Sequence, residues 1–541
     1  MFVPVRKIGD RGVITDTPAY DLPLNAFTYA LNMRFRDQKA EKSGGWARDA
    51  FELPAGQFGR WFSTWLPSTV LTTAIATSTD SSGTQSSQLH TWNGSLFSTT
   101  NTVAWSADWH METFAEFMIA NNTVETPWVY PPNLTTFQPY AGFPAGWTCD
   151  TIRSYKNFLI VLGLEVSVSG DFQIGSYPNT VVWSDAAELN ELPDNFNTSD
   201  PASLSSFNEL PEDTKLVDCL PLGNANILYL QDAVYAMTLT GGSFIFSFRR
   251  LFSRGILNRN CAVAFDNFHF VVGQNTIYTH DGSRINRIAT KSIETSFYKD
   301  VSDITSVKVA HDPDSKEIYI YYLSGEIPSD GYSEVPRNNR AMIWNYEHDT
   351  WTFEDLPAAC VETAFLTESF QPWNTFVGVW NQFSGLRWSQ LATSQTERTV
   401  SFLSTDYTIP SEPNGAYKLY DNSNYRDGQF FNSYLERISI DMDEVAESVN
   451  DWKQLARLFP QVSGAGEVYV QVGGANVPEG RVDWKFPPEK IVIGQDRKAE
   501  TRIDTRYLSM RFGNWDVNTT AVEGQWSVSG WDLEIEKSYR R

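Results

Sequence analysis

The sequence predicts an all-β fold. A β-propeller, expected to have six blades, is joined to an antiparallel β-sandwich platform built from the N- and C-terminal segments. Three observations predict it. Aromatic residues make up 14% of the 541 residues while charged residues stop at 20%, below the usual ~25%. Flat, stiff aromatic side chains suit pleated surfaces. A short unit then recurs along the chain: an apolar run, a polar turn, a second apolar or aromatic run, and Gly, Asn or Asp. Its spacing is the third observation, with 41 residues from Tyr229 to Phe270 and 48 from Phe270 to Ile318. About 40–50 residues per multi-strand unit is the rhythm of propeller blades, not of a sandwich.

In chain order, residues 1–55 hold TPAYDLPLNAFTYALNMRFRD, an extended segment with prolines and no helical period, which assigns them to the platform and not to a blade. The propeller is expected over 56–404. Its hairpins read as 89–98, 227–242, 268–282, 317–325, 341–356 and 376–391, each with a Gly, Asn or Asp turn between period-two runs of strand formers. Phe158 to Val166 reads as a buried strand. Ser, Asn, Asp and Pro crowd 184–215, a long acidic inter-blade loop. Ile293 and Phe297 predict a short helix between blades, and Val445, Val449, Trp452 and Ala456 stand at helical spacing after the strand-like YLERISID. Residues 405–541 complete the platform, with alternating strands at 462–474, 507–515 and 524–536.

Composition excludes several classes. A net charge of −23 argues against a protein whose task is gripping a nucleic acid backbone. The N-terminus has no apolar run able to serve as a signal-peptide core, and no stretch approaches ~18 uninterrupted apolar residues, so a soluble chain with no membrane span is expected. Cys149, Cys219, Cys261 and Cys360 show no metal or disulfide spacing, and free buried thiols in a reducing compartment are expected. Without a secretory signal, the sequons at Asn93, Asn121, Asn133, Asn197 and Asn518 read as chance products of an Asn/Thr-rich chain.

No constellation identifies an enzyme. His90, His110, His269, His280, His311 and His348 make no HExxH or HxH pattern, so strand-face or turn positions are expected and no metal site. No phosphate loop, dinucleotide fingerprint or nucleophile elbow occurs, which leaves no cofactor to expect. Asp441, Asp443 and Glu444 cluster, as do Asp312, Asp314 and Glu317. Either set could hold calcium or act as a carboxylate pair. The plainer reading makes Asp312–Ser315 a hairpin turn feeding a strand at 317–322. Trp92 and Trp380 sit in turns fit to stack sugars or bases, but most tryptophans of such a fold fill the wedge between sheets. Small basic patches occur at Arg6, Lys7 and Arg11, at 248–254, and at 539–541.

Both ends carry a resemblance. Gly12-Val13-Ile14-x-Asp16, Leu22-Pro23, the run Asn32–Asp37 (NMRFRD) and Gly44-Gly45 open the chain, and Arg506–Phe512 (RYLSMRF) with Gly530–Glu534 (GWDLE) close it. Between them lie Val182–Asp185, Gly255–Arg259, Thr279–Gly282, Ile343–Tyr346 and Thr350-Trp351. Together these motifs resemble the tail nozzle proteins of short-tailed bacteriophages, also called tail tubular protein B.

The resemblance implies a structural virion protein and not an enzyme. It implies a homohexameric ring beneath the tail adaptor (the head–tail connector), in the distal part of the tail, after synthesis in the host cytoplasm. Partners would be further copies of the chain, the adaptor, tail fibres or spikes, and genomic double-stranded DNA passing without sequence-specific binding. A negative lumen would repel phosphate and let the duplex slide. Asn32, Arg34, Phe35, Arg506 and Arg511, in the motif-bearing ends, become candidates for contacts between subunits; the competing reading is that they stabilise the fold through Arg–carboxylate pairs. The rival class is a propeller glycosidase or lectin acting on host surface glycans, which requires carboxylates converging in the propeller mouth.

Overall fold

A computed structural model of the chain describes residues 1–538 apart from 55, 68–70, 80–84, 94–95, 242–243, 290–291, 326–337, 368–395, 405–414, 422–423, 427–429, 443–451 and 516–523. Strands dominate it, and Glu294–Asp300 is the one α-helix among the described residues, where Ile293 and Phe297 predicted it. No described helix is long and apolar enough to cross a membrane.

The described residues form seven four-stranded antiparallel units, not six. Numbered along the chain, the blades are 57–103, 110–139, 147–209, 216–252, 262–287, 308–355 and, for blade 7, 358–421 completed by Gly45–Glu52. The first strands of successive blades lie side by side, and the first strand of blade 7, Ala358–Thr367, returns to that of blade 1, Gln57–Trp65, closing the ring. Blade 7 hides from a local reading because its outer strand comes from the other end of the chain. Gly415 pairs with Glu52 and Leu419 with Trp46. The strand order is therefore set by pairing across more than 300 residues, and the propeller reaches beyond 56–404 at both ends. The hairpin expected at 376–391 lies outside the described residues.

Strands buried on both faces explain the apolar runs. Phe158–Val166 in blade 3 is closed on all but one residue, and Glu317–Tyr322 in blade 6 is buried throughout. Aromatic rings fill the wedges between blades: Trp65 lies 5.3 Å from Tyr130, Trp183 5.2 Å from Phe246, and Trp344 5.7 Å from Phe270. The acidic segment is placed differently from expectation. Ser206–Glu209 pairs with Gly175–Trp183, so 184–205 is an excursion inside blade 3, ahead of its outer strand, and only 210–215 runs between blades. Likewise Ala456 falls in the strand Lys453–Gly464, where sheet pairing overrides the helical spacing, while Val445 and Val449 lie outside the described residues.

The two termini build the platform together. Its first sheet orders Met33–Arg36, Lys39–Lys42, Trp526–Lys537, Lys453–Gly464 and Ala499–Thr505, with Phe2–Arg6 also pairing Trp526–Lys537. Its second sheet runs from Tyr29–Leu31 through Ser433–Ile440 and Tyr507–Asn514 to Glu467–Ala475. Trp531 is buried between them, 6.0 Å from both Phe27 and Phe512. The second sheet does not stop at the platform. Leu31 bridges Phe353 in parallel, which makes it continuous with blade 6.

All four cysteines are buried and free. Burial pushes the thiols of Cys149, Cys219 and Cys360 up to about 12, and that of Cys261 higher still. The native protein is therefore expected to give no reaction with a thiol reagent such as DTNB near neutral pH, and four thiols in denaturant. Rapid labelling of the folded chain would overturn the burial assignment.

Candidate functional site

Among the described residues, buried and half-buried arginines and carboxylates of several elements converge at the joint between platform and propeller and at the propeller axis. The strand Met33–Arg36 is enclosed by blade 6, so its polar side chains are turned inward and need partners. Arg34 Nε donates to Glu317 Oε2 at 3.1 Å, its Nη2 donates to Glu354, and Nη1 donates to Met33 O at 3.0 Å. Arg36 Nη2 donates to the other Glu317 oxygen at 2.5 Å. Burial pushes the Glu317 carboxyl up, but the two guanidiniums more than offset this and hold it below the ordinary glutamate value. Arg426 completes the string, donating from Nη2 to Glu354 Oε1 at 2.9 Å and to Asn32 Oδ1 at 2.8 Å. Its guanidinium lies 4.0 Å from the Trp46 ring centroid and 4.4 Å from that of Phe431. Blade 6, the closing strand of blade 7 and the platform meet at this one side chain.

Asn32 is fully buried and takes the left-handed conformation (φ 53°), which Asn tolerates better than most residues. Its Nδ2 donates to Asn432 O at 2.5 Å, and its Oδ1 accepts from Asp355 N at 3.0 Å. Phe35 is buried and stacks on Phe27 at 5.7 Å. Asn32, Arg34 and Phe35 are therefore interior residues of the protomer. That corrects the expectation of intersubunit contact for these three, because each side chain is enclosed within the protomer. Arg511 is half-buried, donating from Nε and Nη2 to Glu436 Oε2 at 2.9 and 2.5 Å among the rings of Tyr434, Trp484 and Trp515. Arg506 lies 5.8 Å from the Trp452 ring and is also half-buried. The motif residues at the start also stitch elements together. Gly12 (φ 62°) has no room for a Cβ, which would stand 2.9 Å from Trp351 O. Asp16 accepts from Thr295 N at 2.8 Å and Ser296 N at 3.2 Å, capping Glu294–Asp300 from a distant part of the chain.

The second place is the propeller axis. Arg153 of blade 3 reaches blades 2 and 4 and the connection into blade 5 at once, which requires a side chain directed to the centre. It donates from Nη1 to Glu112 Oε2 at 3.1 Å, from Nε and Nη2 to the two Asp218 oxygens at 2.9 and 3.0 Å, and from Nη2 to Asn260 Oδ1 at 2.9 Å. Ser154 Oγ donates to Glu112 at 2.5 Å, and the Cys219 and Asn260 amides donate to Asp218 at 2.9 and 3.1 Å. Every carboxylate oxygen of Glu112 and Asp218 thus accepts a hydrogen bond. Glu362 of blade 7 differs: Ser63 Oγ donates to its Oε1 at 2.8 Å, while Oε2 is shielded from solvent with no hydrogen-bond partner. Burial pushes this carboxyl up to about 8, helped by the nearby Glu112.

The sign of that shift is testable. The folded chain keeps the Glu362 proton to about pH 8, whereas the unfolded chain releases it near 4.5, so the stabilisation is full below 4.5 and lost as pH rises through 8. Glu362→Gln is expected to raise the unfolding midpoint at pH 9 and leave it nearly unchanged at pH 5. An equal effect at both values would overturn the assignment.

The carboxylates flagged from sequence fall elsewhere. Asp312 Oδ1 accepts from Asp314 N at 3.0 Å and Ser315 N at 3.2 Å, the hairpin turn expected, and Glu317 belongs to the platform joint. Asp441 pairs with Lys453 at 3.6 Å, while Asp443 and Glu444 lie outside the described residues. Among the described residues no group of His, Cys, Asp and Glu could hold a metal ion. Arg426, Arg153 and Glu362 were not legible in advance, since no local pattern separates an axial or joint residue from a surface one.

These features define a closed β-propeller protein with a platform made from both chain ends. No protein-family model matches the chain, and no curated protein matches it. Among solved structures, it is similar to an acylaminoacyl peptidase from Pyrococcus horikoshii at 9% identity and TM-score 0.33, over 74% of this chain and 56% of that one. It is also similar to the β-propeller domain of the trilobed protease from Pyrococcus furiosus, at 9% identity and TM-score 0.32 over 68% and 99%. A chain of the mitotic checkpoint complex matches at 11% identity and TM-score 0.32 over 58% and 92%. The chain spans just over half the length of the peptidase. These likenesses carry no argument about activity.

Proposed function

We propose that the chain is a structural protein of a short bacteriophage tail: one subunit of a ring-shaped nozzle that retains the genome and lets DNA pass during ejection. One observation carries the reading. The motifs of the resemblance, at opposite ends of the sequence, meet in a single unit. Met33–Arg36 and Trp526–Lys537 belong to one sheet, and Phe35 stacks on Phe27, which packs with Phe512 against Trp531. A platform continuous with blade 6 would hold the propeller at a fixed angle, as a ring subunit needs. Arg506 and Arg511, which keep a face to solvent, remain the proposed intersubunit contacts. The net charge of −23 suits a conduit that must not bind DNA. In this reading the chain performs no catalytic step.

The glycosidase or lectin reading has one observation in its favour, the convergence of Glu112, Asp218 and Glu362 on the axis. Arg153 and the neighbouring donors saturate the first two, leaving one acid where glycoside hydrolysis requires two. Negative-stain imaging with native mass spectrometry of the purified chain at high concentration tests the proposal. A sixfold ring with an open centre is the expected result. A chain that stays monomeric and binds or cleaves a surface glycan would overturn it in favour of the rival.

A further inference from the structure

The negative charge of the chain is unevenly spread. Residues 57–209, which span blades 1 to 3, hold three basic residues against fourteen acidic ones and so carry −11 of the −23. None of the three offsets those acids at the surface in full: Arg60 is buried and donates to Ser78 Oγ at 2.5 Å, Arg153 is committed to the axis, and Lys156 lies 5.4 Å from the Tyr155 ring. Three consecutive blades therefore form an acidic sector.

Within that sector lies a groove of about 430 Å3 between blade 2 and the excursion 184–205 of blade 3. Phe117, Pro131 and Pro139 line it from blade 2, and Leu192 and Pro193 from the excursion. Buried Tyr140 ties the two together, its hydroxyl donating to Pro193 O at 2.5 Å. Phe196 anchors the excursion beneath, 5.3 Å from Phe143 and 6.4 Å from Tyr140. The groove is thus built in advance, and an occupant would meet little ordering cost. Exposed Glu191 and Asp194 also line it, with Glu188 and the 91%-exposed Leu189 alongside in sequence.

We propose that this groove docks a segment of another protein in which an apolar or proline side chain is flanked by Lys or Arg. Apolar walls take the anchor, and the acids on the same groove select cationic flanks while repelling nucleic acid and anionic membrane. The inference rests on charge complementarity and on the groove itself, independently of the nozzle reading.

The test is selection from a displayed random linear-peptide library on the full-length protein, followed by fluorescence anisotropy of an enriched peptide. Enriched sequences are expected to be net positive around an apolar or proline anchor, with binding that weakens as salt is raised. The double variant Glu191→Lys/Asp194→Lys, with its unfolding midpoint unchanged, should lose about tenfold or more in affinity. The milder Glu191→Gln/Asp194→Asn should lose less, which separates charge from misfolding. Failure of enrichment, enrichment of neutral or acidic peptides, or binding indifferent to both variants would each overturn the proposal. So would dissociation of a homo-oligomer by the double variant, which would make the occupant a second copy of this chain.

Discussion

Arg34→Ala is expected to destabilise the isolated protomer by about 3 kcal/mol, the low end of the cost of removing one partner from a buried ion network, because both carboxylates keep a second arginine. Removing the guanidinium takes the shared cation from Glu317 and Glu354, both fully enclosed at the joint of platform and blade 6. Arg36 and Arg426 each still reach one of these acids, so the loss falls on the bridge between them. Methionine at this position, which restores volume without charge, should recover little, because the carboxylates remain. Denaturant unfolding of the monomeric chain measures the effect. A contact residue between subunits would behave in the opposite way, sparing protomer stability and weakening only assembly; that outcome would overturn the interior assignment.

Acid is the second large lever. Burial lowers His90 and His269 to about 4 and His280 to about 3, and it holds His110 well below its ordinary value. All four are neutral in the folded chain, while the unfolded chain protonates them near 6.5. The stability they contribute is complete above pH 6.5 and falls as pH drops from there toward 4, by about 1.4 kcal/mol per histidine per pH unit. His90, His269 and His280 together remove several kcal/mol by pH 5, a large share of the whole stability of an ordinary domain, about 5–15 kcal/mol, and His110 acts in the same direction. A sharp loss of the unfolding midpoint between pH 7 and pH 5 is expected, and an unchanged midpoint would overturn it.

The hydrogen bonds around Tyr229 give one reason for the neutrality. Gly282 N donates to His280 Nδ1 at 3.2 Å, so Nε2 carries the His280 proton and donates to the Tyr229 oxygen at 2.7 Å. Tyr229 then donates to His269 Nδ1 at 2.7 Å, and His269 Nε2 donates to Pro221 O at 3.0 Å. Every group in this line is satisfied in one direction only. A further proton on His280 Nδ1 or His269 Nδ1 would displace a donor with no acceptor to replace it. Tyr229→Phe, which breaks the line between blades 4 and 5, should cost about 1–3 kcal/mol for each nitrogen left unsatisfied.

Residues close in sequence told much of this story. The blade hairpins at 89–98, 227–242, 268–282 and 341–356, the helix at Ile293 and Phe297, the turn at Asp312 and the buried thiols follow from period, turn chemistry and composition, which act over a few residues. Aromatic content pointed to wedge-filling rings, and both terminal segments were set apart because they lack the blade rhythm. The seventh blade was not legible, because Gly45–Glu52 becomes its outer strand only by pairing with Gly415–Asp421. Nor was the position of the acidic excursion within blade 3, which depends on where the short strand Ser206–Glu209 docks. The candidate arginines divide in the same way. Proximity to a motif selected Arg34 and Arg511 together, but enclosure of one strand by blade 6 made the first an interior ion and left the second half-exposed. Local sequence determined which segments are strands and which turns join them, since those choices are governed by neighbouring residues. Ring closure, the Arg153 clasp at the axis and the Arg34–Glu317–Glu354–Arg426 joint were decided by tertiary structure alone. A buried charge acquires its partner only when segments hundreds of residues apart are packed against it.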